Sequence, residues 1–181
     1  MGNGVLAQRG ALKYLAGYPE EIRGRVRQLI EGDALGRTLQ IKYPTRHEVR
    51  TDKALYHYVQ VLKQSALRLA APIDKVIFDS KLHVMHHALG THTAVSRVQG
   101  SKLKSKREIR VASVFKSVPL EFLRMIVVHE LAHLRHGAHD KSFYQLCRYL
   151  EPAYHQFEFD VRLYLTYLDL GGTPLWQGAG D

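Results

Sequence analysis

The chain contains one cysteine, Cys147, so no internal disulfide framework can form, and a lone thiol suits a reducing compartment. Long apolar runs are missing too. No segment approaches the roughly 18 uninterrupted apolar residues that a membrane span requires, and the start, MGNGVLAQRGALKYLAG, lacks an apolar stretch of signal-peptide length. These absences predict a soluble, cytoplasmic protein with no membrane partner. Acidic residues are scarce where basic ones gather: between positions 81 and 120, Glu108 is the one acid against Lys81, Arg97, Lys102, Lys104, Lys106, Arg107, Arg110 and Lys116. Most of the formal net charge of +9 therefore falls in that stretch. Such a field attracts phosphates or acidic polypeptide, or it serves only to keep a solvated loop soluble.

What is present fits one compact domain, or one domain with a helical extension: 181 residues, 45% of them apolar, and no internal repeat. YPEEIRGRVRQLIEG predicts a short amphipathic helix, and RTLQIKYP a strand stopped by Pro44. Thr51 or Asp52 caps a longer helix through KALYHYVQVLKQSALRLA. Beyond Pro72, the segments DKVIFDSKLHV, THTAVSRVQG and REIRVASVF predict a small sheet, with a turn from Gly100 to Lys106. From Pro119 an apolar helix runs until Gly137; Asp140 then caps KSFYQLCRYL, and AYHQFEFDVRLYLTYLDL is a last aromatic-rich helix ending at Gly171 and Gly172. The expected class is α+β, a small antiparallel or mixed sheet packed on the Pro119 helix with flanking helices. The expected division is a helical extension over 1–70, a core domain over 71–171 and a loose tail over 172–181, in which Trp176 is suited to docking.

The stretch VVHELAHLRHGAHDKSFY carries four histidines within eleven residues. His129 and His133 stand at i and i+4, on one helix face and about 5–6 Å apart at Cβ, so both imidazoles can reach one ion. Glu130 projects at an angle to that pair and suits a general base acting on a water that the ion polarises, the HExxH arrangement of zinc hydrolases. A catalytic zinc takes a third protein ligand. His136 lies one turn beyond His133 on nearly the same face, where a rigid helix makes it hard for three imidazoles to aim at one point. His139 follows Gly137, whose backbone freedom lets the chain leave the helix and turn back. Glu158 on the last helix is the other candidate, as in the His/His/Glu sites of thermolysin-like enzymes. Its alternative role, shared with Asp160, is to hydrogen-bond the histidines from behind. Tyr144, Tyr154 and His155 are candidate donors to a developing oxyanion. Zinc is the expected ion, another divalent transition metal the alternative.

HELAH, five further residues, then His139 followed by Asp140-Lys141-Ser142-Phe143-Tyr144 resembles the YgjP-like (DUF45) family of small metallopeptidase-like proteins, related to the SprT-like and WLM groups. LRMIVVHELAHL is similar to the family's active-site helix and REIRVAS to the strand beside it, over roughly residues 70 to 170. The resemblance implies a zincin-like minimal metallopeptidase fold, and His139 as third ligand by correspondence with the family's N-H-S-x-x-F-W segment. Ala138, Asp140 and Tyr144 stand where Asn, Ser and Trp are usual, and SRVQGSKLKSK replaces the usual RWGSCS. Metzincins share the His139 spacing but place Gly where His136 stands and need a downstream Met-turn, whereas Met1, Met85 and Met125 all lie upstream.

Three functions follow. The leading one is a zinc-dependent peptidase with Glu130 as base, in which REIRVAS, edging the cleft, binds an extended peptide by β-addition. The second uses the same metal on a phosphoanhydride as a nucleotide pyrophosphatase, with Lys102, Lys104, Lys106 and Arg107 of the basic 97–110 segment neutralising phosphates. The third is a nucleic-acid-recruited, SprT-like protease or a nucleic-acid-binding module. HVMHHALGTH offers His83, His86, His87 and His92 for a second metal or for hydrogen bonding.

Overall fold

A computed structural model describes residues 12–82, 90–99 and 102–177, with the backbone alone described over 90–99 and 102–106. Pro19 precedes helix α1 (Glu20–Glu31), whose first turn carries Glu20 and Glu21 at the positive end of the macrodipole. The next element corrects a prediction: RTLQIKYP lies mostly in helix α2 (Leu35–Lys42), not in a strand. Leu35 and Leu39, one helical turn apart, are both buried, so packing on one helix face outweighs the preference for extended chain that Thr38 and Ile41 suggested. Helix α3 (Asp52–Ala66) begins where the caps predict: Thr51 Oγ1 accepts from the Ala54 N–H at 3.2 Å, and Asp52 Oδ1 accepts from the Phe78 N–H at 2.9 Å.

That second bond ties α3 to a mixed three-stranded sheet of order β1-β3-β2, formed by β1 (Lys75–Asp79), β2 (Gly90–Gln99) and β3 (Lys102–Ala112). β1 runs parallel to β3 from Lys75↔Glu108 to Asp79↔Ala112, and β2 runs antiparallel to it from Gly90↔Val111 to Gln99↔Lys102. Two expectations change. The turn predicted from Gly100 to Lys106 is shorter, because Lys102 to Lys106 continue the ladder against 95–99; hydrogen-bonding register, not lysine's weak strand preference, decides this segment. REIRVAS is the central strand, and both of its edges are already paired, so it cannot accept a peptide strand.

Val76 and Phe78 pair with Ile109 and Val111, and all four are buried, giving the sheet one apolar face. Helix α4 (Leu120–Ala132) packs against β2 and β3, and from Phe122 to Ala132 all its residues except Arg124 are buried. Beyond Ala132 the chain tightens into i→i+3 bonds, Leu134 N–H to Leu131 O and Arg135 N–H to Ala132 O, both at 3.1 Å. Helices α5 (Lys141–Leu150) and α6 (Tyr154–Asp169) close the other side of α4.

Helix α6 gathers both ends of the described chain. Leu12, Leu15, Val26, Leu35 and Leu39 join the same hydrophobic core as α4 and α6. Asp160 accepts from Lys42 Nζ at 2.6 Å and from the Tyr43 hydroxyl at 2.5 Å. The tail read as loose is pinned at Trp176, which is 6% exposed, donates from Nε1 to the Tyr43 carbonyl at 2.6 Å and packs edge-on against Phe122 and Tyr164. No helix among the described residues is long and apolar enough to cross a membrane. Replacing Trp176 by Ala is expected to cost about 3–5 kcal/mol of stability by chemical denaturation, the usual loss for a buried aromatic; a midpoint equal to wild type would mean that the tail contributes nothing.

Candidate metal centre

Helix α4, the turn after it and the residue before the N-cap of α5 bring three imidazoles together. Nε2 of His129 and Nε2 of His139 are 3.1 Å apart, and the candidate ligand atoms of His129, His133 and His139 all lie within 4.8 Å of one another. Two nitrogens each about 2.0–2.1 Å from one tetrahedral ion are about 3.4 Å apart, so the first pair is already near the spacing of shared ligation. Phe143 forms the wall of the site, with ring centroids 5.0 Å from His129 and 4.7 Å from both His133 and His139. Burial decreases from His129 through His133 to His139, which opens the cluster to solvent on the His139 side.

The hydrogen bonds behind these rings set their proton positions. A carbonyl oxygen only accepts, so His133 Nδ1 donates to the His136 carbonyl at 2.9 Å and the lone pair of that ring lies on Nε2. His136 therefore serves through its backbone, and its imidazole is not one of the three. Burial first, then the charges that His133 and His139 would carry, push His129 down to about 3, and burial lowers His133 as well. Both rings favour the neutral form that a ligand needs.

Glu130 is fully buried, and neither carboxylate oxygen has a hydrogen-bond partner among the described residues. Burial pushes its pKa up to about 8. A buried carboxylate with no protein partner, one residue from His129, is a group that a nearby dication would favour in its ionised form. By donor set, spacing and polarity the residues fit a transition-metal ion.

A family model, the YgjP-like metallopeptidase domain, matches residues 46–160. This chain belongs to the YgjP-like family. A curated relative from Escherichia coli (strain K12), called UTP pyrophosphatase, is 60% identical over 160 residues, covering 88% of this chain and 96% of the relative. No solved structure matches the chain significantly. Family membership and the three-histidine group together make this YgjP-like protein a hydrolase that works with a metal ion.

The remaining site residues of the YgjP-like chain separate by position. Glu158 is outside the cluster: Oε1 accepts from Arg162 Nη2 at 2.7 Å, and Oε2 is 3.8 Å from His155 Nδ1. Asp160 is occupied by Lys42 and Tyr43. Both carboxylates are thus engaged by cations, Glu158 by Arg162 and Asp160 by Lys42. The i, i+4 spacing of Glu158 and Arg162 was the available signal for this pairing. Tyr154, a candidate oxyanion donor in the sequence, is fully buried behind His129, its hydroxyl 2.8 Å from Nδ1, and so faces away from the convergent Nε2 atoms. Tyr144 and His155 lie together near the solvent side, ring centroids 5.5 Å apart, with Tyr144 6.4 Å from His139. In the basic segment, Arg110 is paired with Asp79 at 2.8 Å and Glu108 at 3.3 Å, and the Arg107 backbone exchanges bonds with Asp74. The side chains of Lys102, Lys104, Lys106 and His92, and residues His83, His86 and His87, lie outside the described residues.

With its folded pKa above the ordinary value of 4.5, Glu130 favours the protonated form in the metal-free protein. Stability of that form should therefore fall as pH rises from about 4.5 to about 8. Glu130→Gln is expected to stabilise the metal-free protein by about 1–3 kcal/mol near pH 7 and to change it little at pH 4. Thermal unfolding in chelator at both pH values measures this; equal effects at the two would exclude an ionisation origin.

Proposed function

We propose that this YgjP-like chain is a zinc-dependent pyrophosphohydrolase of nucleoside triphosphates, with UTP as the leading substrate. The observation that carries the proposal is the relative called UTP pyrophosphatase, 60% identical to this chain across 88% of its length. The site supports it chemically. His129, His133 and His139 would hold the ion, for which three imidazoles favour zinc. When bound, it supplies a Lewis acid that makes water nucleophilic near neutral pH and offsets charge on a phosphoryl oxygen.

Glu130 takes the proton of the attacking water and passes one to the leaving pyrophosphate. The water oxygen bonds to the α-phosphorus as the α–β anhydride bond breaks, giving nucleoside monophosphate and pyrophosphate. On the open side of the cluster, Tyr144 and His155 offer ring faces for the base and an imidazole N–H for a phosphate oxygen. Lys102, Lys104, Lys106 and Arg107 of the basic segment are proposed as further phosphate contacts.

A second reading, a peptidase on a zincin-like fold, draws on the family's metallopeptidase description and on the HExxH helix lying against β2. Among the described residues β2 has one unpaired edge, where an extended peptide could add a strand. The discriminating assay offers zinc-loaded protein either UTP or an unfolded polypeptide. UMP and pyrophosphate are expected from UTP, with Glu130→Gln retaining zinc but losing about 10²–10⁴-fold in turnover, and His139→Ala losing zinc. Cleavage of polypeptide with UTP untouched would reverse the two readings. In the nucleotide assay, the Tyr144→Ala/His155→Ala double variant should raise KM about 5- to 150-fold, since one stacked base contributes about 1–3 kcal/mol; an unchanged KM would move the base elsewhere.

A further inference from the structure

We infer that His47, which lies outside the histidine cluster, is an acid-labile latch: its neutral ring fastens residues 44–51 to the chain that leads into helix α4, and protonation of that ring unfastens them. Between Tyr43 and Leu55 it is the one buried residue, 5% exposed in a stretch that is otherwise open or half-open to solvent. The stretch forms no helix or strand before α3 begins at Asp52. The His47 backbone N–H donates to the Val118 carbonyl at 3.1 Å. Its ring Nε2 is 2.8 Å from the carbonyl oxygen of Phe115, in the short 3-10 helix Ser113–Ser117 just before α4. The other ring nitrogen, Nδ1, accepts from the Val49 N–H at 3.0 Å.

These partners dictate the state of the ring. A carbonyl only accepts and an amide N–H only donates, so Nε2 bears the proton and Nδ1 the lone pair. No other form satisfies both. An imidazolium would set a second proton against the Val49 N–H and place a charge beside Phe115 and Val118, which are themselves buried. Burial accordingly lowers the pKa of His47, against a smaller raising effect of the Phe115 bond. Among charged neighbours Glu48 raises it while Arg50 and Arg46 lower it, all three on the same stretch. On the adjoining elements, Lys116 is directed over the Phe78 ring at 5.4 Å, and Glu121 of α4 acts on Tyr43 and Tyr58.

Both ends of the stretch are tied by contacts that use no imidazole. Tyr43 donates to Asp160, accepts from Trp176 on its carbonyl and packs against Phe122. At the other end Thr51 caps α3, and Asp52 accepts from the Phe78 N–H. Protonation therefore releases a loop between fixed ends and leaves α2 and α3 in place. Because the folded pKa lies below the ordinary 6.5, the hold is complete above that value and is lost as pH falls beneath it. The Phe115 and Val118 carbonyls, at the entry to the helix that carries His129, then lose their donors.

The test follows amide hydrogen exchange of full-length protein in chelator from about pH 7.5 to about pH 5.5, the range in which an imidazole titrates. With the chemical exchange rate divided out, the opening equilibrium at the Val49 amide should rise by up to about tenfold per pH unit below about 6.5. The Val128 amide, inside α4, should keep its protection over the same range. His47→Gln, whose side-chain carbonyl and NH2 serve the same two partners without titrating, should flatten the Val49 profile. A Val49 amide indifferent to pH in wild type overturns the latch, as does a wild-type slope in His47→Gln. Parallel loss at Val49 and Val128 overturns it too, since the whole fold would then be yielding at once. Should His47→Gln fail to fold, imidazole nitrogen NMR shifts of the wild type decide: the proton is expected on Nε2 of a ring still neutral at the ordinary pKa, and a proton on Nδ1, or an imidazolium there, refutes the inference.

Discussion

Helix α4 and its C-cap take two imidazoles and a carboxylate into a largely apolar interior, and polar groups there must be answered or they oppose folding. His129 is answered by Tyr154 from α6, and His133 by the carbonyl of His136 as the chain leaves the helix. Phe143 from α5 walls the rings, while β2 and β3 cover another side of the helix. Glu130 alone is left without a protein partner among the described residues. The surrounding elements thus satisfy the outer nitrogens and leave the inner ones, with the carboxylate, for something the chain does not itself provide.

A metallopeptidase description for the family and a pyrophosphatase name for a close relative are less discordant than they sound. Under either reading three imidazoles and a buried carboxylate would prepare a water molecule, and the identity of the electrophile would be decided by whatever binds beside it. On the solvent side, Tyr144 stands 6.4 Å from His139 by ring centroid, with His155 beside it. The strand that would have held a peptide most simply, REIRVAS, is enclosed by its neighbours.

Short-range features were legible in the sequence. The i, i+4 spacing of His129 and His133 and the Asp140 cap each describe a local geometry, and Asp140 does accept from the Phe143 N–H at 2.9 Å. Two misreadings arose where distant contacts decide. Leu35 to Lys42 is helical because α6 covers it, and Lys102 to Lys106 is strand because β2 pairs with it. The partners of Glu158 and Tyr154 were hidden for a related reason: Arg162 was within reach of a helical-spacing argument, but Tyr154 meets His129 across 25 residues of chain. Sequence spacing names the donors of the site and says little about what stands behind them.

Asp140 closes the first turn of α5, and His139 precedes it by one peptide bond. Anything that holds the His139 ring also restrains that turn, while fraying of the turn releases the ring. Because Phe143, whose N–H the cap receives, also packs against all three imidazoles, the winding of α5 and the closure of the histidine cluster are coupled degrees of freedom. Occupancy of the centre and order in the chain between α4 and α5 are then two expressions of one equilibrium.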